Sequence, residues 1–314
     1  MIDSPSGPNC LRDLEVRLAP RRAAEARHRK GHMARGRGDF LLRHHNTIAR
    51  ILRLALCGMG LYSRGARNAL ALQVRRFSLY FPGLPHTLRG FRILHLSDLH
   101  IDGVPGLAEM LADRLSRLPV DVCVITGDYR FEVDGPYDHV YPHMRTIVRA
   151  VCSRHGIFGV LGNHDPADLA LALEQLGVRM LINESMEITD GFWAIGVDDS
   201  HYYGCDDLSE PLKIVPSRTF KLLLAHSPEL YADAAAADID LYLCGHTHAG
   251  QICLPGQRAL MLNAICPRLY TRGIWTHGKT QGFTTSGAGC SLLPVRFNCP
   301  PEIAVIELLP DPLS

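Results

Sequence analysis

The sequence predicts a layered α/β fold, and two observations favour it. From about residue 74, short runs rich in β-branched and aromatic residues alternate with segments whose apolar residues recur at helical spacing. The chain has 314 residues, of which 46% are hydrophobic and 21% are charged, so it can bury the core of one large domain or two smaller ones. Repeated alternation of strand and helix indicates helices packed on the faces of a sheet.

The first 73 residues differ in composition from the rest and are predicted to form a basic N-terminal arm. Residues 1–50 hold eleven Lys and Arg residues against five acidic residues, whereas the remainder holds 22 against 27. Residues 1–45 are expected to be a disordered or loosely helical tail. The apolar run "IARILRLALCGMGLY" is too short and too charged to span a bilayer. The alternative to a disordered tail is that the arm and this apolar run together form a basic amphipathic segment that docks on an anionic membrane surface.

The main domain, residues 74–314, is predicted to alternate strands and helices along its length. Its predicted strands are VRRFSLYF, FRILHLSD, DVCVITGD, GIFGVLGNHD, GFWAIGVDDS, FKLLLAHSPE, IDLYLCGHTH and EIAVIELLP. Its predicted helices are PGLAEMLADRLSRL, YPHMRTIVRAVCSR, DPADLALALEQLG and PELYADAAAA. The third helix has an Asp165 cap, Pro166 in its first turn and Gly177 at its end.

Five of the predicted strands end in a polar cluster that can bind metal ions. Because ligands gather outside the carboxyl ends of strands in α/β sheets, these clusters are expected to converge on one crevice. Aspartate, asparagine and histidine suit Mn, Fe, Zn or Mg, and they argue against copper–thiolate and iron–sulfur centres. The candidate ligands are Asp98, His100, Asp128, Asn163, His226, His246 and His248.

The number of these ligands favours two ions over one. Two carboxylates, one amide and four imidazoles exceed one tetrahedral site and fit two ions that share a carboxylate. Two ions about 3.5–4 Å apart clamp the attacking and leaving oxygens of an in-line displacement at phosphorus. The glycines directly before Asp128, Asn163 and His246 are expected to allow sharp turns and a close approach of the backbone to the ions.

The ordered set Asp-x-His, Gly-Asp, Gly-Asn-His-Asp, His and Gly-His-x-His resembles the calcineurin-like metallophosphoesterase superfamily. The resemblance runs from about residue 91 to the C-terminus. It implies a layered β-sandwich flanked by helices and a metal-dependent phosphoesterase with two divalent ions. Manganese is the first expectation for these ions, with iron, zinc and magnesium as alternatives. The nucleophile implied by the resemblance is a hydroxide that bridges the ions.

The same resemblance assigns roles to individual residues. The implied ligands of the first ion are Asp98, His100 and His248, and those of the second ion are Asn163, His226 and His246. Asp128 is implied to bridge the two ions. His164 is implied to stabilise the transition state or to protonate the leaving group, and Asp165 is implied to orient the ring of His164.

Several segments are similar to one bacterial branch of the superfamily, and they suggest a substrate. These segments are LINES, GVDD, LAHSPEL, GHTHAGQICLP and TSGAGCSLLPVRFNCPPEIAVIEL. The branch contains membrane-associated phosphodiesterases and the UDP-2,3-diacylglucosamine pyrophosphohydrolases of lipid A synthesis, which release UMP and a lipid-sugar phosphate. The alternatives are a general phosphodiesterase or phosphatase for nucleotides, phospholipids or phosphoproteins, and a non-catalytic scaffold. The net negative charge of the main domain argues against nucleic-acid binding.

The cysteines and two further residues complete the expectations from sequence. Ten scattered cysteines without a Cys-x-x-Cys pair predict reduced thiols and a cytoplasmic protein. The basic N-terminal arm adds the expectation of peripheral contact at the inner face of the cytoplasmic membrane. Many relatives carry a further acid shortly after Gly-Asp, but this chain has Tyr129 and Arg130. Arg130 is expected in a solvated loop, with contact to an anionic substrate as the alternative. His201 is a candidate to line the substrate cleft.

Overall fold

The computed structural model describes residues 8–29 and 38–312. The described helices are α1 (Pro8–Arg17), α2 (Ala19–Arg29), α3 (Gly38–Gly58), α4 (Tyr62–Ala69), α5 (Leu107–Leu115), α6 (Val140–Ala150), α7 (Ala167–Leu176), α8 (Ser209–Leu212) and α9 (Tyr231–Ala236). The described strands are β1 (Gln73–Phe81), β2 (Phe91–Leu96), β3 (Val122–Thr126), β4 (Ile157–Val160), β5 (Val178–Met180), β6 (Glu184–Thr189), β7 (Phe192–Gly196), β8 (Phe220–Leu224), β9 (Leu241–Cys244), β10 (Cys253–Leu254), β11 (Arg258–Ala259), β12 (Gly273–His277), β13 (Thr280–Thr284) and β14 (Glu302–Pro310). All eight strands and four helices predicted for the main domain are present.

Two six-stranded sheets form the centre of the fold. The first has the order β1-β14-β2-β3-β4-β5, and its pairs are parallel except for β14 with β2. The second has the order β12-β13-β9-β8-β7-β6, with parallel pairs in the middle and an antiparallel pair at each edge. Strands β10 and β11 form a separate short hairpin.

Alternate residues of the strands face two different cores. In β3, Val122 and Val124 face the second sheet and share a core with Leu222 of β8. Cys123 and Ile125, which alternate with them, join a core formed with helices α5, α6 and α7. Every residue of β3 is buried, and successive side chains enter the two cores in turn. This is the pattern of a sheet that packs on another sheet with one face and on helices with the other. The predicted β-sandwich flanked by helices is therefore confirmed.

Residues 8–29 pack on the main domain, so the expectation of a disordered or loosely helical tail is wrong for this part of the chain. Leu14 and Leu18, one helical turn apart, are fully buried in the core beneath the helical layer. Glu25 Oε1 accepts a hydrogen bond of 2.7 Å from the amide of Ala167, the first residue of α7. The many Arg and Ala residues conceal this short apolar stripe. Residues 1–7 and 30–37 lie outside the described part.

Helices α3 and α4 continue the N-terminal segment and cover loops near the C-terminus. Leu56 of α3 is buried in a small cluster with Leu293 and Val295, whereas Ile51 and Leu54 remain exposed. Among the described residues, no helix is long and apolar enough to cross a membrane. The division into an arm of residues 1–73 and a domain of residues 74–314 stays a prediction.

Candidate metal centre

The five polar clusters meet at one edge of the sandwich, where β2, β3, β4, β8 and β9 end. All seven candidate ligands are buried there. They are Asp98, His100, Asp128, Asn163, His226, His246 and His248. The convergence expected from the sequence is therefore present, although the assignment of each residue as a metal ligand stays a prediction.

Tight turns at the strand ends aim these side chains into the crevice. Asp98, Asp128 and His246 have φ values of 49°, 56° and 67°, in the left-handed region that non-glycine residues adopt infrequently. The neighbouring backbone approaches closely. A Cβ at Gly162 would lie 2.2 Å from Asp128 Oδ1, and one at Gly245 would lie 2.1 Å from Asp98 Oδ2. Glycine is therefore required before Asn163 and His246 by close packing.

The first group of ligand atoms comes from Asp98, His100 and His248, as predicted for one ion. Their ligand atoms all lie within 4.8 Å of one another. The Nε2 atoms of His100 and His248 are 3.2 Å apart, and His248 Nε2 is 3.4 Å from Asp98 Oδ1. Two ligands that each lie about 2.0–2.2 Å from one ion are separated by about 3 Å. The spacing therefore suits a shared cation.

The second group comes from Asp128, His226 and His246, again within 4.8 Å of one another. His226 Nε2 lies 3.2 Å from His246 Nδ1 and 3.0 Å from Asn163 Oδ1. Asp128 Oδ2 lies 3.3 Å from His226 Nε2 and 3.5 Å from His100 Nε2, so this carboxylate stands between the two groups. That position suits the bridging role predicted for Asp128.

Hydrogen bonds on the outer ring nitrogens orient the imidazoles. His100 Nδ1 donates to the carbonyl of Arg130 at 2.7 Å, and His226 Nδ1 donates to the carbonyl of Thr126 at 2.8 Å. Both rings thereby direct Nε2 into the crevice. Metal-binding histidines in proteins commonly donate their other ring nitrogen to a carbonyl in this way. The donor set and its support therefore fit divalent ions of the kind that imidazole and carboxylate bind.

Electrostatics at the crevice favour a bound cation. Burial lowers the pKa of His100 to about 3, so this imidazole is neutral and can bind a metal. Burial opposes protonation of His226 as well, but the carboxylate of Asp128 raises the pKa of His226 to about 10. The Asp128 carboxylate therefore favours a positive charge at His226, which either a proton or a divalent ion can supply. A divalent ion that binds here would compete with protonation of His226.

Comparison with known proteins identifies the family of the chain. Residues 91–250 match the calcineurin-like phosphoesterases, and this segment holds all seven candidate ligands. The chain belongs to the calcineurin-like phosphoesterase family. This family is metal-dependent, and the chain is a metal-dependent phosphoesterase.

The relatives of the chain include proteins of several bacteria. A metallophosphoesterase of Helicobacter pylori (strain J99 / ATCC 700824) is 30% identical over 87% of this chain and 74% of its own length. The metallophosphoesterase YkuE of Bacillus subtilis is 29% identical over 72% of this chain and 81% of its own length. The phosphodiesterase YaeI of Escherichia coli is 28% identical over 70% of this chain and 82% of its own length.

The structure of the phosphoesterase places His164 at the crevice and corrects the role of Asp165. His164 Nε2 lies 3.9 Å from Asp128 Oδ2, and its Nδ1 donates to the carbonyl of Phe131 at 2.6 Å. Asp165 was expected to orient this ring, and that expectation is wrong. The Asp165 carboxylate instead accepts hydrogen bonds from the amides of Asp128, Tyr129 and Gly162 at 2.7–2.8 Å. It joins the turn after β3 to the turn after β4.

Arg130 also differs from expectation, because it is not solvated and does not line the cleft above the metal groups. The residue is buried, and its Nε donates to the carbonyl of His164 at 2.5 Å. Its two terminal nitrogens donate to the carbonyls of Val133 and Gly135. Since these three nitrogens all bind carbonyls, Arg130 supports the backbone at His164.

His201 is buried beside the predicted second metal group. Its ring centroid lies 4.2 Å from that of His246, and its Nδ1 is 2.5 Å from Glu229 Oε1. The residue therefore contacts a predicted ligand. It is not among the residues that line the cleft above the metal groups, so its predicted place in that cleft is not supported.

Two buried arginines that support the site were missed from the sequence. Arg296 donates to the carbonyls of Ser286 and Gly289, and its Nη2 lies 3.4 Å from His248 Nδ1. Arg21 of α2 reaches the turn that holds Asn163 and His164. No signal in the sequence distinguishes these two arginines from the others, because each depends on contacts with distant parts of the chain.

A cleft of about 520 Å³ opens above the metal groups. Its floor includes Asp128, Asn163, His164, His246 and His248. Its walls are largely apolar and come from α3 and from loops near the C-terminus. The apolar wall residues are Ile48, Ile51, Leu52, Ala55, Ile252, Leu260, Met261 and Leu292. The phosphoesterase thus joins a polar reaction centre to an apolar compartment.

Proposed function

We propose that this phosphoesterase hydrolyses a phosphodiester or pyrophosphate bond in a lipid-linked substrate. The first candidate is UDP-2,3-diacylglucosamine, which would give UMP and a lipid-sugar phosphate. The observation that carries the proposal is the apolar cleft directly above the two groups of candidate ligands. Acyl chains can pack against these apolar walls, whereas a hydrophilic nucleotide or sugar phosphate has no apolar groups to do so.

Exposed apolar side chains around the cleft support a lipid substrate. Ile51, Leu260 and Met261 line the cleft and are also 64%, 59% and 49% exposed. Leu54 and Met59, farther along the N-terminal segment, are 72% and 61% exposed. Clustered exposed apolar side chains mark a surface that binds an apolar partner. Here the partner is the lipid itself.

The same surface carries positive charge, which supports peripheral contact with an anionic bilayer. Arg50 and Arg53 are exposed on α3, between the apolar residues that face the cleft. A basic amphipathic helix lies at the bilayer interface with its apolar face among the acyl chains and its cations near the headgroups. Contact of this kind would bring the reaction centre to a substrate whose acyl chains stay in the membrane.

The residues of the crevice account for the chemistry of hydrolysis. When bound, two divalent ions would polarise the phosphoryl oxygens and lower the pKa of water towards neutrality. Asp128 and the buried imidazoles would hold the ions, and the close packing of the turns fixes the positions of these side chains. His164 lines the cleft with its Nε2 near Asp128, so it can donate a proton to the leaving oxygen.

A paired assay tests the substrate. Protein loaded with Mn²⁺ in detergent micelles is given either UDP-2,3-diacylglucosamine or bis-p-nitrophenyl phosphate, with Asp128→Asn as the blank. Rapid release of UMP is the expected result. Hydrolysis of the chromogenic ester without release of UMP would reject this substrate and retain a phosphodiesterase.

The second candidate function is that of a general phosphodiesterase or phosphatase, and the name of the Escherichia coli relative, a phosphodiesterase, favours it. Nucleotides, phospholipids and phosphoproteins would be its substrates. Dependence of the activity on lipid or detergent separates the two functions. A non-catalytic scaffold is the least supported function, because the seven candidate ligands and His164 are all present in one crevice.

A further inference from the structure

Arg21 of α2 is fully buried, although it belongs to the basic N-terminal segment. Its Nη1 donates to Asp198 Oδ1 at 2.6 Å. Its Nη2 donates to two carbonyl oxygens, that of Gly162 at 2.6 Å and that of Asp165 at 2.8 Å. The ring of Tyr203 covers the guanidinium, with its centroid 3.6 Å from the Arg21 Cζ. The side chain is therefore held on several sides.

The two carbonyls mark the ends of the turn after β4. Between them lie Asn163, a predicted metal ligand, and His164, the predicted proton donor. One nitrogen atom of Arg21 thus binds both ends of the turn that carries these two side chains. We propose that Arg21 is a positioning residue, which holds Asn163 and His164 where metal binding and proton transfer require them. This inference rests on the metal-dependent hydrolysis proposed above.

Asp198 extends the same contact to a second loop of the site. Asp198 Oδ1, which accepts from Arg21, also accepts from the amide of Asp199 at 2.8 Å. The carboxylate of Asp199 in turn accepts from the amides of Tyr202 and Tyr203 at 2.7 Å. These bonds order the loop that contains His201, whose ring contacts that of the predicted ligand His246. Arg21 therefore connects the turn after β4 with the loop after β7.

The alternative is that Arg21 only anchors α2 to the domain. Other contacts already serve that purpose, since Leu14 and Leu18 are buried and Arg22 pairs with Asp168 at the surface at 2.8 Å. A buried guanidinium–carboxylate pair is a costly anchor, because desolvation offsets most of the attraction, and apolar side chains of similar size often anchor as well. The positions of its three acceptors point to the reaction centre.

Charge balance shows how the test must be designed. Burial by itself would lower the pKa of Arg21, but Asp198 and then Tyr203, Asp199 and Glu25 raise it above its usual range, so the guanidinium stays charged. Replacing Arg21 alone would leave the buried Asp198 without its cation. The informative variant therefore combines Arg21→Met with Asp198→Asn, which removes both charges and keeps the side-chain volumes similar. Arg22→Met, on the same helix, is the matched control.

The experiment measures Mn²⁺ affinity by titration calorimetry without substrate, together with kcat and KM for bis-p-nitrophenyl phosphate. For the double variant we expect Mn²⁺ binding weakened by about 10- to 100-fold, as for other residues that orient metal ligands. The value of kcat should fall more than KM rises, because Arg21 lies behind the turn and not in the cleft. Arg22→Met should match the wild type in all three quantities.

Wild-type Mn²⁺ affinity and kcat in the folded double variant would overturn the inference and leave Arg21 as an anchor. If the double variant does not fold, Arg21→Lys replaces it, because lysine keeps the charge beside Asp198 but lacks the second nitrogen for the two carbonyls. A lysine variant with wild-type affinity and kcat would overturn the inference equally. Absence of Mn²⁺ binding by the wild-type chain would instead contradict the proposed function.

Discussion

At the scale of single residues, the reactivity of the site depends on burial of groups that normally prefer water. Burial raises the pKa of Asp98 to about 6, whereas the pKa of Asp128 lies well below its ordinary value, because His226 and His164 outweigh the effect of its burial. Asp128 therefore remains ionised across the neutral range. An ionised carboxylate between two groups of imidazoles is suited to hold two cations.

Replacing Asp128 by asparagine tests this position. An amide oxygen keeps the shape of the side chain but removes the charge that lies within 3.5 Å of both His100 and His226. We expect Mn²⁺ binding to weaken in both groups and turnover to be lost. Metal content by elemental analysis and hydrolysis of bis-p-nitrophenyl phosphate are the measurements, with Asp134→Asn, an exposed acid in the following loop, as control. Retention of two ions per chain would argue against a bridging role.

His164→Ala tests the proton donor and separates it from the ligands. Removal of a positioned proton donor lowers the rate by roughly 10²–10⁴-fold. Because His164 contributes no predicted ligand atom, the metal content should stay at the wild-type level while kcat falls by this factor. The control is His86→Ala, because His86 is exposed and is not one of the residues of the candidate metal centre. Loss of the metals from His164→Ala would show that the assigned role is wrong.

The sequence predicted correctly that the candidate ligands meet in one crevice, because each one follows a strand whose apolar pattern is easy to recognise. Asp98 lies two residues beyond the end of β2, and His246 lies two residues beyond the end of β9. It predicted the supporting residues poorly. Asp165, Arg130 and Arg21 act through backbone groups, and the choice of carbonyl or amide partner depends on how turns from distant strands meet.

At the scale of the elements, the turns after the strands are closely packed around the candidate ligands. The Gly245 position lies against two side chains of the turn after β2, since a Cβ there would be 2.1 Å from both Asp98 Oδ2 and Ser97 Oγ. Neither atom belongs to a flexible surface side chain, because Ser97 and Asp98 are fully buried. Packing around this glycine thus controls the position of a predicted ligand.

Gly245→Ala is therefore expected to displace Asp98 and weaken metal binding. Overpacking of this kind costs about 1–3 kcal/mol of stability. The variant should show a lower Tm and a smaller increase in Tm on addition of Mn²⁺ than the wild type. Gly58→Ala is the control, because a Cβ at Gly58 meets no atom within 4 Å. An unchanged shift of Tm by Mn²⁺ in Gly245→Ala would contradict the expected displacement.

The N-terminal helices show where prediction from sequence fails at this scale. The composition of residues 1–45 is dominated by Arg and Ala, which indicated a tail. A few scattered contacts attach α1 and α2 to the domain, among them two buried leucines, the buried Arg21 and the bonds of Arg22 and Glu25 to α7. Such attachment depends on the surface that receives the helix, here α7 and the turn after β4, and local periodicity does not describe that surface. The central strands of the sandwich were recognised because each is a short run of apolar residues, and such a run is buried whatever surface receives it.

At the scale of the whole molecule, the N-terminal segment contributes to two sides of one site. Helix α2 contacts the turn behind the metal groups, and α3 forms a wall of the cleft in front of them. Deleting the segment would therefore remove Arg21 and the cleft wall together. A test of membrane contact must instead change the exposed face of the segment and leave its buried contacts intact.

The double variant Leu54→Glu with Met59→Glu is designed for that test. Both side chains are exposed, and neither lines the cleft, so the reaction centre should be unaffected. Two carboxylates at this face remove apolar contact and repel anionic headgroups. We expect binding to vesicles that contain an anionic lipid to fall at least about tenfold, from roughly 1 kcal/mol lost per unfavourable charge near the surface. Sedimentation with vesicles is the measurement.

Two comparisons decide what the result means for the whole molecule. Hydrolysis of bis-p-nitrophenyl phosphate in solution should be the same for the double variant and the wild type, because this ester needs no bilayer. Ile214→Glu, a change at an isoleucine that is 65% exposed just after α8, should bind vesicles as the wild type does. Equal vesicle binding by all three proteins would reject membrane contact through α3. Since the apolar cleft would remain, a lipid substrate would then have to reach the metal centre from a carrier or a micelle.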